Sequence, residues 1–289
     1  MLLYHYCTNA SFISILTSNS LWLSDLSLSN DKMEGAWVKH VFSAICKEKK
    51  LYPSHEAHID SCVDRAMSFL GWGGFCLSEA GDGDLLSQWR GYADNGYGIS
   101  IGFSREYLEF LCKSLQEIEI PVTLCAVDYD TNSHRDRVSR HFEIIKAYID
   151  KGAFDYSRFS LLQLGTPLSE EEQSRQFQSL NLSILSMMMD CKNIKNPAFR
   201  EEKEWRLTTP FFNPKENSEI DKDEILFRPA NDRIVPYRKI PLLSSNDVEI
   251  ISKVIIGPRN ITPDGVIENI LRSYGHNNAS VSRSAATYR

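Results

Sequence analysis

Hydrophobic positions along the chain change period several times, and each change predicts an element. LLYHY (residues 2–6) alternates like a strand, and Thr8 or Asn9 can then cap a short helix whose Phe12, Ile15 and Leu16 share one face. LWLS (21–24) returns to strand. Met33, Trp37, Val41 and Ala44 recur at helical spacing between Asp31 and about Lys47, as do Ile59, Val63, Met67 and Leu70, so two amphipathic helices follow. GGFCLS (73–78) and GYGISIGF (96–103) read as strands on either side of a helix carrying LLSQWRGYAD (85–94).

EYLEFLCKSLQEI (106–118) is amphipathic through Leu108, Leu111, Leu115 and Ile118, and PVTLCAVDY (121–129) predicts a buried strand. The next stretch, about 131–192, is mostly helical, with Val138, Phe142, Ile145 and Ile149 in one stripe and Ser169 with Glu172 as a capping box. The C-terminal part is β-rich: KEWRLTTPF, EILFRP, IVPYRKIPL and VEIISKVIIG. A helix follows with Thr262 as N-cap, Pro263 at its first position and Gly275 beyond its end, and the closing ASVSRSAATYR can add an edge strand. Strand runs at both ends with helices between predict one α+β domain whose sheet joins chain-distant segments, with a helical insert at about 131–192.

Composition narrows the functions. The 289 residues are 42% hydrophobic with a net charge of −6, which fits a globular core and argues against a whole-surface nucleic-acid binder. No apolar run approaches the ~20 residues that span a bilayer, and the N-terminus lacks a secretion-signal pattern. A cytoplasmic protein with no membrane association is the expectation. The seven cysteines form no CxxC pair and sit mostly in apolar periodic segments, so they read as reduced small hydrophobes and not as metal ligands.

Candidate chemistry lies in three stretches. In the first, His5 sits between Tyr4 and Tyr6; a neutral imidazole near Ser24 and Asn30 can bond a ribose hydroxyl, whereas the plainer account is a satisfied strand histidine. Asn30 or Asp31 with Glu34 also reads as a helix cap. In the second, Trp89, Arg90 and Tyr92 can stack on a planar ring and grip a phosphate, or Trp89 can anchor the core while Arg90 pairs with a carboxylate. The turn from Gly81 to Gly83 has no phosphate-loop pattern.

The third stretch is FREEKEWRL (199–207). Read as a strand, it puts Glu202, Glu204 and Arg206 on one side and Lys203, Trp205 and Leu207 on the other. A solvent face with Arg206 neutralising one carboxylate explains this cheaply. Paired glutamates would also raise one another's pKa, and a carboxylate beside an oxocarbenium ion favours cleavage of an N-glycosidic bond.

The combination of YHYCTNASFISIL, LWLSDLSLSND, FCLSE, DLLSQWRGYADNGYGISIGF, EEKEWRL and VIIGP resembles an uncharacterised bacterial family, a domain of unknown function often found near defence loci. That family in turn resembles ADP-ribosyltransferases, with a split β-sheet core, a His or Arg on the first strand, an aromatic or Ser on a later core strand and a catalytic Glu, often as ExE. The resemblance implies NAD as substrate. His5, with Tyr6 beside it, would contact the adenosine ribose. Glu204 would orient the nicotinamide ribose and stabilise the oxocarbenium ion, and Glu202 would position or deprotonate the acceptor. Ser78 and Tyr92 are alternatives for lining the nicotinamide pocket.

The acceptor implied is a macromolecule, with protein, RNA and DNA all open; a defence or toxin role makes an antitoxin or a phage-encoded protein a candidate partner. Two rivals stand beside this reading. One is a metal-dependent nuclease using Glu201, Lys203 and Asp190. The other is a non-catalytic sensor module binding a nucleotide or a protein on the same fold.

Overall fold

The computed structural model describes residues 1–29, 36–154, 169–212, 225–230, 232–245 and 247–287. Its fold is α+β, and its strands form one mixed, open sheet. The described chain divides into two compact units: residues 1–28, 72–127 and 198–289 form the first, and residues 29–71 and 128–197 the second.

The first unit carries the sheet. Strands β1 (Leu2–Cys7), β2 (Ser20–Asp25), β3 (Leu70–Ser78), β4 (Ile99–Ser104), β7 (Ile225–Pro229), β8 (Ile234–Pro241), β9 (Lys253–Ile256) and β10 (Ser280–Arg283) lie in the order β10-β9-β4-β1-β3-β2-β8-β7. The chain-distant antiparallel partners β5 (Thr123–Ala126) and β6 (Glu204–Phe212) join through β6 beside β3. β9 and β10 pair in parallel, whereas β1 with β3 and β4, β2 with β3 and β8, β4 with β9, β5 with β6, and β7 with β8 pair antiparallel. The ladder between β1 and β4 runs for six residue pairs, whereas that between β1 and β3 is the single pair Tyr4 opposite Ser78. The sheet is therefore loosely joined at its centre.

Strand alternation gives β1 two buried faces. Leu3 and Cys7 enter the main core with Phe75, Leu77, Ile99, Ile101 and Phe103. Helices α1 (Asn9–Ser18), α5 (Arg105–Glu117) and α8 (Asp264–Ser273) cover that core through Phe12 and Ile15, Leu108 and Leu111, and Ile267 and Leu271. Tyr4 and Tyr6 point the other way, against Trp89 and Ala93 at the end of α4 (Leu86–Tyr92). Local chemistry sets the helix ends: Thr8 caps α1 by accepting from Ser11, and Asn19 closes it in the left-handed conformation at φ 44°.

The second unit is helical: α2 (Trp37–Glu48), α3 (Pro53–Phe69), α6 (Thr131–Asp150) and α7 (Glu170–Asp190) share one core that includes Phe42, Ile45, Val63, Phe142, Ile145, Leu180 and Met187. The helices expected in the 131–192 insert thus pack with two helices from an earlier part of the chain. His134, fully buried, fixes the start of α6: its ring accepts from the Trp37 indole at 3.2 Å and donates to the Asp128 carbonyl at 2.8 Å.

Four local expectations change. The buried stripe of α2 is Val38, Phe42, Ile45 and Cys46, rotated from the predicted one, and Ala44 is exposed. Strand β5 is a half-exposed partner of β6 and not a buried strand, because it pairs on one side only among the described residues. Pro263 is the N-cap of α8, one place later than predicted, so Thr262 lies outside the helix. Ser169 does cap α7 through the Glu172 amide, but the Glu172 carboxylate turns to Gln176 and Arg175 and leaves the box half closed. The expected edge strand is present as β10, and no described helix is long and apolar enough to cross a membrane.

Candidate active site

The stretch FREEKEWRL is not one strand. Residues Pro197–Glu202 form a 3-10 turn, Lys203 takes the left-handed conformation at φ 42°, and β6 begins at Glu204. A left-handed non-glycine residue rotates the chain between the two glutamates. Glu202 and Glu204 therefore do not share a strand face. The alternation argument holds from Glu204 onward, where Glu204 and Arg206 project together and Leu207 enters the core.

Nor is the Glu204 side a solvent face. Glu204 is 6% exposed and Arg206 1%, and the guanidinium grips both carboxylate oxygens, Nε to Oε1 at 2.7 Å and Nη2 to Oε2 at 2.9 Å. Such a fork-to-fork pair is the strong form of a charge-assisted hydrogen bond. Glu202 has a different setting. Its Oε1 accepts from the Tyr92 hydroxyl at 2.9 Å, and its backbone carbonyl accepts from the Ser78 hydroxyl at 2.6 Å. Ser78 also receives the Ala80 amide, and Glu79 receives the Trp205 indole, so the end of β3 is tied to the turn before β6. The two residues proposed as alternatives, Ser78 and Tyr92, both meet Glu202.

His5 sits where β1 and β3 separate. Its Nδ1 lies 2.8 Å from the Cys76 carbonyl and its ring stacks on Phe75 at 3.9 Å. Only a protonated Nδ1 can bond a carbonyl, so Nε2 carries the lone pair. Burial pulls the imidazole down to about 4, the Cys76 bond opposes this, and the positive charge of Arg228 adds to the lowering. At neutral pH His5 is an uncharged acceptor.

The remaining candidates divide. Trp89 is wholly buried, edge-on to Tyr6, and donates from its indole to Asp84 at 2.7 Å; a ring with no exposed surface offers no face for stacking on a ligand. The Tyr6 hydroxyl accepts from the Leu85 amide, so both aromatics hold α4 against the sheet. Arg90 and Tyr92 are exposed on α4. Ser24 on β2 accepts from Arg228 of β7, at 3.2 Å from Nε and 3.1 Å from Nη2. Asn30, with Asp31 and Glu34, lies outside the described residues.

Arg228 is a candidate site residue that pattern reading missed. A lone arginine in the apolar run ILFRP was the available signal, and its meaning depends on which strand pairs beside it. Of the residues named for the nuclease rival, the Asp190 carboxylate faces His141 at 3.2 Å, and among the described residues no three or more His, Cys, Asp or Glu side chains gather.

Residues 88–207 match a family described as "Protein of unknown function (DUF2971)". The match supports an uncharacterised domain-of-unknown-function family. It takes in Tyr92, Glu202 and Glu204, while His5, Ser24, Ser78 and Arg228 fall outside it. No curated protein and no solved structure matches the chain.

Proposed function

We propose that this protein transfers ADP-ribose from NAD to a macromolecule, on an ADP-ribosyltransferase-like split sheet, with Glu202 as its working carboxylate. The observation that carries the reading is the double hold on Glu202 from two distant segments: Ser78 donates to its backbone carbonyl and Tyr92 to its carboxylate. A tyrosine hydroxyl on one oxygen of Glu202 orients the carboxylate. A carboxylate so placed stabilises positive charge as the bond between nicotinamide nitrogen and ribose C1′ breaks. The bonding pair leaves with nicotinamide, the acceptor's nucleophilic atom bonds C1′, and the acceptor's proton passes to a base. The neutral His5 Nε2 suits a ribose hydroxyl donor. Glu204, held on both oxygens by Arg206, serves the strand and not the chemistry.

The test is incubation of purified protein with labelled NAD and a bacterial lysate, following free nicotinamide and label in protein, RNA and DNA. The wild type releases nicotinamide and labels one acceptor class. Glu202→Gln lowers release by about a hundredfold or more, and Tyr92→Phe lowers it less, without a change in melting temperature. No release and no label from the wild type overturns the reading. The bidentate hold on Glu204 favours one alternative, a non-catalytic nucleotide-binding module, for which NAD raises the melting temperature but stays intact.

A further inference from the structure

One face of the sheet collects hydrogen-bond donors, and among the described residues of its three strands no acid on that face receives them. On β2, Ser20, Trp22 and Ser24 point the same way; on β8, Tyr237 stands opposite Ser24 and Lys239 opposite Trp22; on β7, Leu226 stands opposite Tyr237 and Arg228 opposite Val235. Directly opposed residues share a face. Among these three strands the one acidic residue is Asp25, which alternates to the other face and accepts from the Ser27 amide.

Arg228 is half-buried, and among the described residues it has no carboxylate partner; its Nε and Nη2 both point at the Ser24 oxygen. Ser24, accepting twice, still has its own proton to give. The Trp22 indole stacks on Tyr237 at 4.7 Å, and its Nε1 is buried without a partner among the described residues. Lys239 is exposed beside it. Burial holds the Arg228 guanidinium below its ordinary range. A half-buried guanidinium that meets only a hydroxyl among the described residues, beside an indole donor with no partner there, suits a ligand that supplies an acceptor.

We propose that Trp22, Ser24, Tyr237, Arg228 and Lys239 form a binding site for the phosphate groups of a nucleotide. A phosphate offers several acceptor oxygens and negative charge in one group, which matches a guanidinium, an indole, two hydroxyls and a lysine carried on one sheet face. The stacked Trp22–Tyr237 pair gives the site an aromatic flank. The choice of a dinucleotide diphosphate as the physiological ligand rests on the transferase reading; the anion site itself does not.

ADP is the probe, because it carries the diphosphate without the nicotinamide ribose, and adenosine is its uncharged comparator. Calorimetric titration of the whole protein is expected to show ADP binding that weakens with added salt, with adenosine far weaker. Arg228→Gln is expected to weaken ADP by about tenfold or more and to leave adenosine unchanged. Lys239→Gln, at an exposed position that folding does not need, is expected to weaken ADP severalfold, and it decides the matter if Arg228→Gln fails to fold. The proposal is overturned if ADP does not bind at millimolar concentration, if adenosine binds as well as ADP, or if the charge-removing variants bind ADP like the wild type. ADP binding that depends on these cations, without nicotinamide release from NAD, keeps this site and removes the transferase. Nicotinamide release and NAD binding that ignore both cations do the reverse.

Discussion

Replacing Glu204 by glutamine separates a structural charge from a catalytic one. In the folded protein its two oxygens receive Nε and Nη2 of Arg206 at 2.7 and 2.9 Å, with the carboxylate 6% and the guanidinium 1% exposed. Glutamine keeps one acceptor, turns an N–H toward the guanidinium and leaves the Arg206 charge buried. Breaking such a pair by removing one partner costs about 3–5 kcal/mol. For a domain of this size, ~2–4 °C of melting temperature accompanies each kcal/mol, so a drop of about 6–20 °C is expected. Thermal unfolding followed by far-ultraviolet circular dichroism measures it. The double variant Glu204→Gln with Arg206→Met also removes the buried charge and is expected to recover most of the loss, because the pair's own net contribution is small against an apolar replacement. A single variant melting within about 2 °C of wild type, together with a double variant no better than the single, would refute a structural role. Loss of transfer activity in Glu204→Gln alone thus says nothing of catalysis until the melting curve is known.

Two further outcomes follow from burial. The His5 imidazole is lowered from 6.5 to about 4, so as the pH falls the unfolded chain takes the proton first. Its contribution is whole above about pH 6.5 and lost progressively down to about pH 4, about 3 kcal/mol in all at 1.36 kcal/mol per pKa unit. Urea unfolding of wild type and His5→Gln at both ends of that window checks this, and identical pH dependence in the two proteins contradicts it. Burial pushes Cys7 and Cys46 up to about 12 and Cys112 and Cys191 up to about 11, while Cys76 and Cys125 are partly exposed. A thiol reagent at pH 8 should therefore modify Cys76 and Cys125 first in the native protein and all seven cysteines in denaturant; rapid native modification of Cys7 contradicts the packing of β1.

What the sequence discloses here is what short range decides. The α1 caps, the α6 stripe of Val138, Phe142, Ile145 and Ile149, and the strands of β1 and β4 depend on neighbours within a few residues, and each follows from pattern. The rotation of α2 does not. Its segment carries two overlapping apolar stripes, and the one that is buried is fixed by α6, which lies some ninety residues on. Glu202 was misplaced for a different reason. Lys203 adopts a left-handed backbone that no residue type announces, and a single such residue cancels the period-two argument across it. Trp89 has the composition of a ligand-stacking residue, yet its exposure depends on Tyr6 and Asp84, neither of which adjoins it in sequence.

Three groups of the sheet unit, Arg206, His5 and Arg228, show why placement outranks residue type. Arg206 is neutralised two residues away by Glu204, within its own strand, so its charge is spent on the fold. His5 resolves burial by remaining unprotonated and bonding a carbonyl, which leaves one lone pair for a partner. Arg228 can do neither, since a guanidinium does not give up its proton near neutral pH and only a hydroxyl meets it on β2. The sequence already gives Arg206 a glutamate two residues away, whereas what meets Arg228 is set by sheet order, which places it across β8 from a β2 face whose described residues carry no acid. Among the described residues of β2, β7 and β8 no carboxylate stands on this face, which leaves Arg228 suited to an acceptor brought by a ligand.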